Sequence, residues 1–157
     1  MAGLMLSLKA DEKFLVNGAL VQNGPKRAQI RLPDNNVNVL RLSDCLHPDD
    51  INTPVRRAYY LAQLILSGDI KRGTGKLKLT AALYDLDKVF VGTSVEALIT
   101  KTLLDTTQER YYSVLVTLKR VLPIESQLLT LGAHNSGKVA DNISGNISGK
   151  QDIARTG

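Results

Sequence analysis

The apolar residues of this chain change their spacing once, and the change falls at Asn52-Thr53-Pro54. Before it they recur every second residue. After it they recur every three to four. A strand sends alternate side chains to opposite faces, whereas a helix brings residues three and four apart onto one face. Strands gathered at one end and helices at the other give an α+β fold rather than an alternating α/β one.

The first part reads as about five short antiparallel strands. In "LMLSLKA", Leu4, Leu6 and Leu8 share one face, and Met5, Ser7 and Lys9 the other. "KFLV" and "ALVQ" each run into an Asn-Gly pair, Asn17-Gly18 and Asn23-Gly24. Asn-Gly accepts positive φ at both central turn positions, so both pairs predict hairpins. In "RAQIRLP", Ala28, Ile30 and Leu32 face one way, and Arg27, Gln29 and Arg31 the other. "VNVLRL" closes the run with Val37, Val39 and Arg41 on a shared face.

The second part reads as helices. Thr53 is the expected N-cap and Pro54 the first helical residue of a segment ending at Ser67-Gly68. "DIKRGTG" predicts a basic, glycine-rich loop. A second helix is expected from about Lys76 to Phe90, with Leu79, Leu83, Leu86 and Phe90 inward. Thr93 and Glu96 have capping-box spacing and open a third. A fourth is expected over about Thr107 to Leu122, with Pro123 interrupting it. From Gly132 on, the chain is poor in large apolar residues and repeats "NISG", which predicts a flexible tail. Asn142 and Asn146 match the glycosylation sequon, read here as low-complexity drift. The expected organisation is a small antiparallel sheet or barrel-like module at 1–46, a helical layer or bundle at 47–131, and the tail at 132–157.

The residues for catalysis are missing. Nucleophilic catalysis needs a base in reach, and the two histidines, His47 and His134, sit in a loop and in the tail. Cys45 and His47 are too few for zinc. "GTGKL" lacks the spacing and the hydroxyl of a P-loop. The carboxylate pairs Asp49/Asp50 and Asp85/Asp87 read as solvated. The expectation is a protein that is not an enzyme and carries no cofactor or metal. A single cysteine, no signal peptide and no long apolar run predict a cytoplasmic protein without membrane association.

A net charge of +5 is compatible with nucleic acid and does not establish it. The β module holds six bases against three acids: Lys9, Lys13, Lys26, Arg27, Arg31 and Arg41 against Asp11, Glu12 and Asp34. Phe14 is its only aromatic, which disfavours a sheet that stacks RNA bases on two or three rings. RNA here would be held through phosphates and base edges by Lys9, Lys26, Arg27, Arg31 and Arg41. Arg56, Arg57, Lys71 and Arg72 form a possible secondary basic surface. In the pairs Tyr59-Tyr60 and Tyr111-Tyr112 one ring is expected to pack, leaving Tyr60 and Tyr112 as candidate partner contacts.

"LMLSLKADEKFLVNGALVQNG", "VLRLSDCLHPDDINTPVRRAYYLAQL" and "RYYSVLVTLKRVLPIESQLL" resemble, in that order, three segments of the FlbT family of flagellin-synthesis regulators. The resemblance implies a post-transcriptional role: binding the 5′ untranslated region of flagellin mRNA and repressing its translation or promoting its decay. It also implies a link to FlaF, a small helical flagellar protein, and hence an alternative in which this chain is an adaptor that binds no RNA. The β module is also similar in pattern to the carbon storage regulator CsrA, in which two chains interleave strands and RNA lies on the first strand of one and the last of the other. By that resemblance Ser7, Leu8 and Lys9 fall on the first-strand contact and Arg41 on the last, with Leu8 where an arginine is usual. A homo-oligomer through the β module is the corresponding expectation.

Overall fold

A computed structural model describes residues 3–34 and 36–132. The chain divides into two compact units at Leu122/Pro123. Within the first unit, five strands precede the helices: β1 (Leu4–Leu8), β2 (Lys13–Val16), β3 (Ala19–Gln22), β4 (Ala28–Leu32) and β5 (Val39–Arg41). They form two sheets, β1–β4 and β3-β2-β5, and every pairing is antiparallel.

Asn17 and Gly18 both hold positive φ, 49° and 81°, and turn β2 into β3 as a two-residue hairpin. Asn23-Gly24 does not do the same. β3 and β4 lie in different sheets, and residues 23–27 cross between them. Pro25 follows directly, and the Asn23 side chain is used elsewhere: its amide donates to Lys9 O at 2.7 Å and Lys26 O at 2.9 Å. That bond pair ties the β1–β2 turn to the β3–β4 crossing.

The alternation places the core as expected. Leu6, Leu8, Phe14 and Val39 are buried together, with Leu4, Val16, Ile30, Leu32, Val37 and Tyr112 packed against them. The first sheet thus closes over one face of the second. The other face of the second carries Leu15 and Leu40, and Leu40 is fully buried.

Gln63, buried in α1 (Pro54–Ser67), anchors the segment between strands and helices. Its side chain accepts from Leu46 N at 2.7 Å and donates to Leu46 O at 3.2 Å. Thr53 caps α1 by accepting from Arg56 N, and Gly68 ends it at φ 83°.

α2 (Arg72–Phe90) starts four residues before the expected Lys76, so "DIKRGTG" is mostly helix rather than loop. The reason is Gly75. A Cβ there would lie 2.5 Å from Ile65 Cγ1. Glycine lets α2 approach α1, and that packing outweighs its poor helix propensity. α3 (Glu96–Thr107) follows, but the expected capping box does not form: the N-cap is Val95 without a side-chain cap bond, Thr93 Oγ1 accepts from Val95 N instead of Glu96 N, and Glu96 Oε2 accepts from Gly92 N. Residues 108–110 then turn the chain, with Glu109 at φ 57°, and α4 covers 111–122. In the second unit, residues 123–132 are helical. Pro123 therefore does not separate helical from non-helical chain. It is the first residue of the second unit. The expected tail lies outside the described residues apart from Gly132.

Candidate nucleic-acid interface

The register of β1 and β4 collects the basic residues on one outer face. Met5 stands opposite Arg31 and Ser7 opposite Gln29. One step beyond the ladder, Lys9 and Arg27 occupy the matching positions. Lys9, Arg27 and Arg31 are exposed, and so is Lys26, which Asn23 ties to the Lys9 turn. Four of the five sequence-predicted bases are thus side by side with their charged ends in solvent.

Arg41 is held differently. It reaches from the end of β5 to the open edge of β1, where its Nη2 donates to Ser7 O at 2.9 Å. Its Nη1 donates to Glu12 Oε1 at 3.1 Å. Glu12 has a side chain only 9% exposed, and its other oxygen accepts from Lys9 N at 2.8 Å. Arg41 therefore spends most of its charge inside the protein. Its Nε is buried without a hydrogen-bond partner.

Beside Arg41 opens a cleft of about 440 Å³. Lys9, Ala10 and Glu12 line it from the β1–β2 turn, Arg41, Ser43 and Asp44 from β5 and the short turn after it, and Tyr112, Val116 and Lys119 from α4. The α4 residues are spaced i, i+4, i+7, so they form one face. Lys119 Nζ donates to Asp44 Oδ1, joining residues 75 apart in sequence. Two ion pairs, Arg41–Glu12 and Lys119–Asp44, line the cleft with Lys9, and Tyr112 and the 43% exposed Val116 form an apolar wall. Lys119 and Val116 were not predicted as site residues. Their apolar and charged neighbours on α4 do not distinguish them, and only the long-range packing does.

In each tyrosine pair the first ring is buried, Tyr59 and Tyr111, and the second is half-buried. The Tyr59 hydroxyl donates to Asp44 O. Burial, reinforced by Asp44, pushes its ionisation up. Cys45 is also pushed up, by burial first and then by Asp44. Tyr112 packs against the β core and also lines the cleft, while Tyr60 sits on α1.

The secondary basic surface is split. Arg56 donates to Asp50 O and Asn52 Oδ1, supporting the start of α1. Arg72 donates to Glu109 O at 3.3 Å and stacks 5.2 Å from the Tyr111 ring. Arg57 and Lys71 remain exposed.

The outward face of α2 carries Leu77, Ala81 and Tyr84 on one stripe, which Lys88 interrupts before Val91 at the cap. Leu77 is 75% exposed and Tyr84 56%. Among the described residues no group of three or more His, Cys, Asp or Glu could hold a metal ion. No helix among them is long and apolar enough to cross a membrane.

The family described as Flagellar protein FlbT matches residues 4–129. A probable flagellum biosynthesis repressor protein FlbT of Chelativorans sp. is 30% identical over 127 residues, 81% of this chain and 86% of that protein. The flagellum biosynthesis repressor protein FlbT of Caulobacter vibrioides is 42% identical over 67 residues, 43% of this chain and 47% of its own. A probable FlbT repressor of Allorhizobium ampelinum is 41% identical over 63 residues, 40% of this chain and 41% of its own. The chain thus spans about half the length of most of these relatives. No solved structure matches it.

Proposed function

Because the chain belongs to the FlbT family of flagellar proteins, we propose that it is a post-transcriptional repressor of flagellin synthesis. It binds the 5′ untranslated leader of flagellin mRNA in the cytoplasm and blocks translation or promotes decay. The relatives it resembles are flagellum biosynthesis repressor proteins, which supports the repressor role. The observation that carries RNA binding is the outer face of β1–β4, with Lys9, Lys26, Arg27 and Arg31 exposed beside the Arg41 cleft.

In this reading the four exposed bases take phosphates. Such contacts position the strand without reading it. Arg41, fixed by Glu12 and Ser7, offers a rigid donor to one base edge, and Tyr112 with Val116 gives that base an apolar wall. Arg41 is the fixed donor that the cleft offers a base. The face is therefore an electrostatic track with a single reading point, in keeping with the lack of a stacking platform.

The exposed α2 stripe favours a second reading, in which the chain docks a helical protein such as FlaF and affects mRNA only indirectly. Apolar residues at helical spacing on a free face are what a helix-in-groove or coiled contact uses. A gel shift of purified protein with flagellin leader RNA separates the two. A shift without any partner, lost in a Lys9→Ala/Arg27→Ala/Arg31→Ala variant, is the expected result. A shift that appears only with FlaF, and is lost in Leu77→Glu/Tyr84→Glu, overturns direct RNA binding.

A further inference from the structure

We infer that two copies of this chain pair edge to edge through β3, about a two-fold axis at Val21. β3 is the outer strand of the order β3-β2-β5, and all four of its residues are exposed. Its hydrogen-bond parity follows from its ends. The two-residue turn makes Val16 and Ala19 exchange backbone bonds, and Asn23 N donates to Glu12 O at 2.8 Å. Alternation then assigns Phe14 and Val21 to each other. Ala19, Val21 and Asn23 therefore spend their backbone groups on β2. Leu20 and Gln22 turn theirs outward.

Native proteins usually blunt such an edge with charge, proline or a covering segment. β3 has no charged residue. β1 has none either, but Arg41 already occupies its edge at Ser7 O, and β4 carries Arg31. β5, the other outer strand, ends in Arg41, so among the described strands β3 is the one left both uncharged and open. Leu20 is 62% exposed and continues the row that begins with Leu40 and Leu15. That row runs off the sheet at the β3 edge.

The partner that fits is a second copy. The outward groups are two residues apart, so in an antiparallel pair Leu20 of one copy faces Gln22 of the other. They exchange both bonds, and symmetry repeats the exchange. Val21 lies on the axis against its own counterpart in a closely spaced pair, apolar against apolar. No charge meets its own image. This is an isologous contact of the kind that closes a dimer. It sets the two Arg41 residues on the outermost strands, about 24 Å apart across five spacings of ~4.8 Å. The pairing does not depend on RNA binding.

Sedimentation equilibrium of the full chain tests it. The native protein should have twice its monomer mass of 17.1 kDa. Val21→Lys and Val21→Glu should each run as monomers with native circular dichroism, and mixing them should restore the double mass. In a Cys45→Ser background, Val21→Cys should oxidise to a cross-linked dimer and Leu20→Cys should not. A native chain of monomer mass, or a dimer that survives Val21→Lys, overturns the proposal.

Discussion

Asn23 shows how one side chain does more than its dipeptide suggests. An Asn-Gly pair predicts a turn, yet the Asn23 amide stitches Lys9 O to Lys26 O. Asn23→Ala should lower stability by about 1–2 kcal/mol, the net value of the lost bonds, seen as a lower urea midpoint. It should also weaken RNA binding with no change of charge, because it loosens the turn carrying Lys9. Equal stability would mean the amide ties nothing. Cys45 gives a second prediction at this scale. Its raised ionisation keeps it protonated in the fold where an unfolded thiol begins to ionise. Its contribution is complete below the ordinary thiol value and is lost as pH rises through the raised one. Tyr59 acts with the same sign in a higher range. Unfolding midpoints should therefore fall as pH rises above the ordinary thiol value, and less so in Cys45→Ala. Iodoacetamide should label native Cys45 more slowly than the urea-unfolded chain at the same pH. Equal rates would contradict this.

At the scale of elements, what was legible was local. The alternation of β1, the Asn17-Gly18 turn, Thr53-Pro54 before α1 and Gly68 after it all act within a few residues, and all are found. What was not legible depends on distant packing. The start of α2 is decided by Ile65 lying against Gly75. Two neighbouring glycines test this. Gly73 has open space around it, so Gly73→Ala should stabilise α2 by up to about 1 kcal/mol. Gly75→Ala should destabilise by about 1–2 kcal/mol, since overpacking exceeds the propensity gain. Thermal melts of the two variants should move in opposite directions. A shift of the same sign in both would remove Gly75 as the reason for the close approach. The exposed stripe of α2 was missed for a different reason. One helix can carry apolar residues on two faces, and the inward set alone accounts for its helical period.

At the scale of the molecule, the division into strands followed by helices was readable from the change of period, and the basic residues were readable as a set. Their arrangement was not. β1 pairs with β4 within one chain, Glu12 binds Arg41 across 29 positions, and Asp44 binds Lys119 across 75. No spacing rule reaches that far. These contacts split the predicted cations into two kinds: exposed ones free to meet phosphate, and Arg41, neutralised by Glu12 and held as a fixed donor. The split has a measurable consequence. If the four exposed bases neutralise four phosphates, log affinity should fall with log salt with a slope of about −3, at roughly −0.7 per contact for a single strand. The most direct measurement is that slope for flagellin leader RNA, in the native chain and in Lys9→Ala/Arg31→Ala. The account predicts weaker binding in the variant and a slope about 1.4 shallower, two contacts fewer. A native slope near zero, or a variant that binds like the native chain, would contradict it.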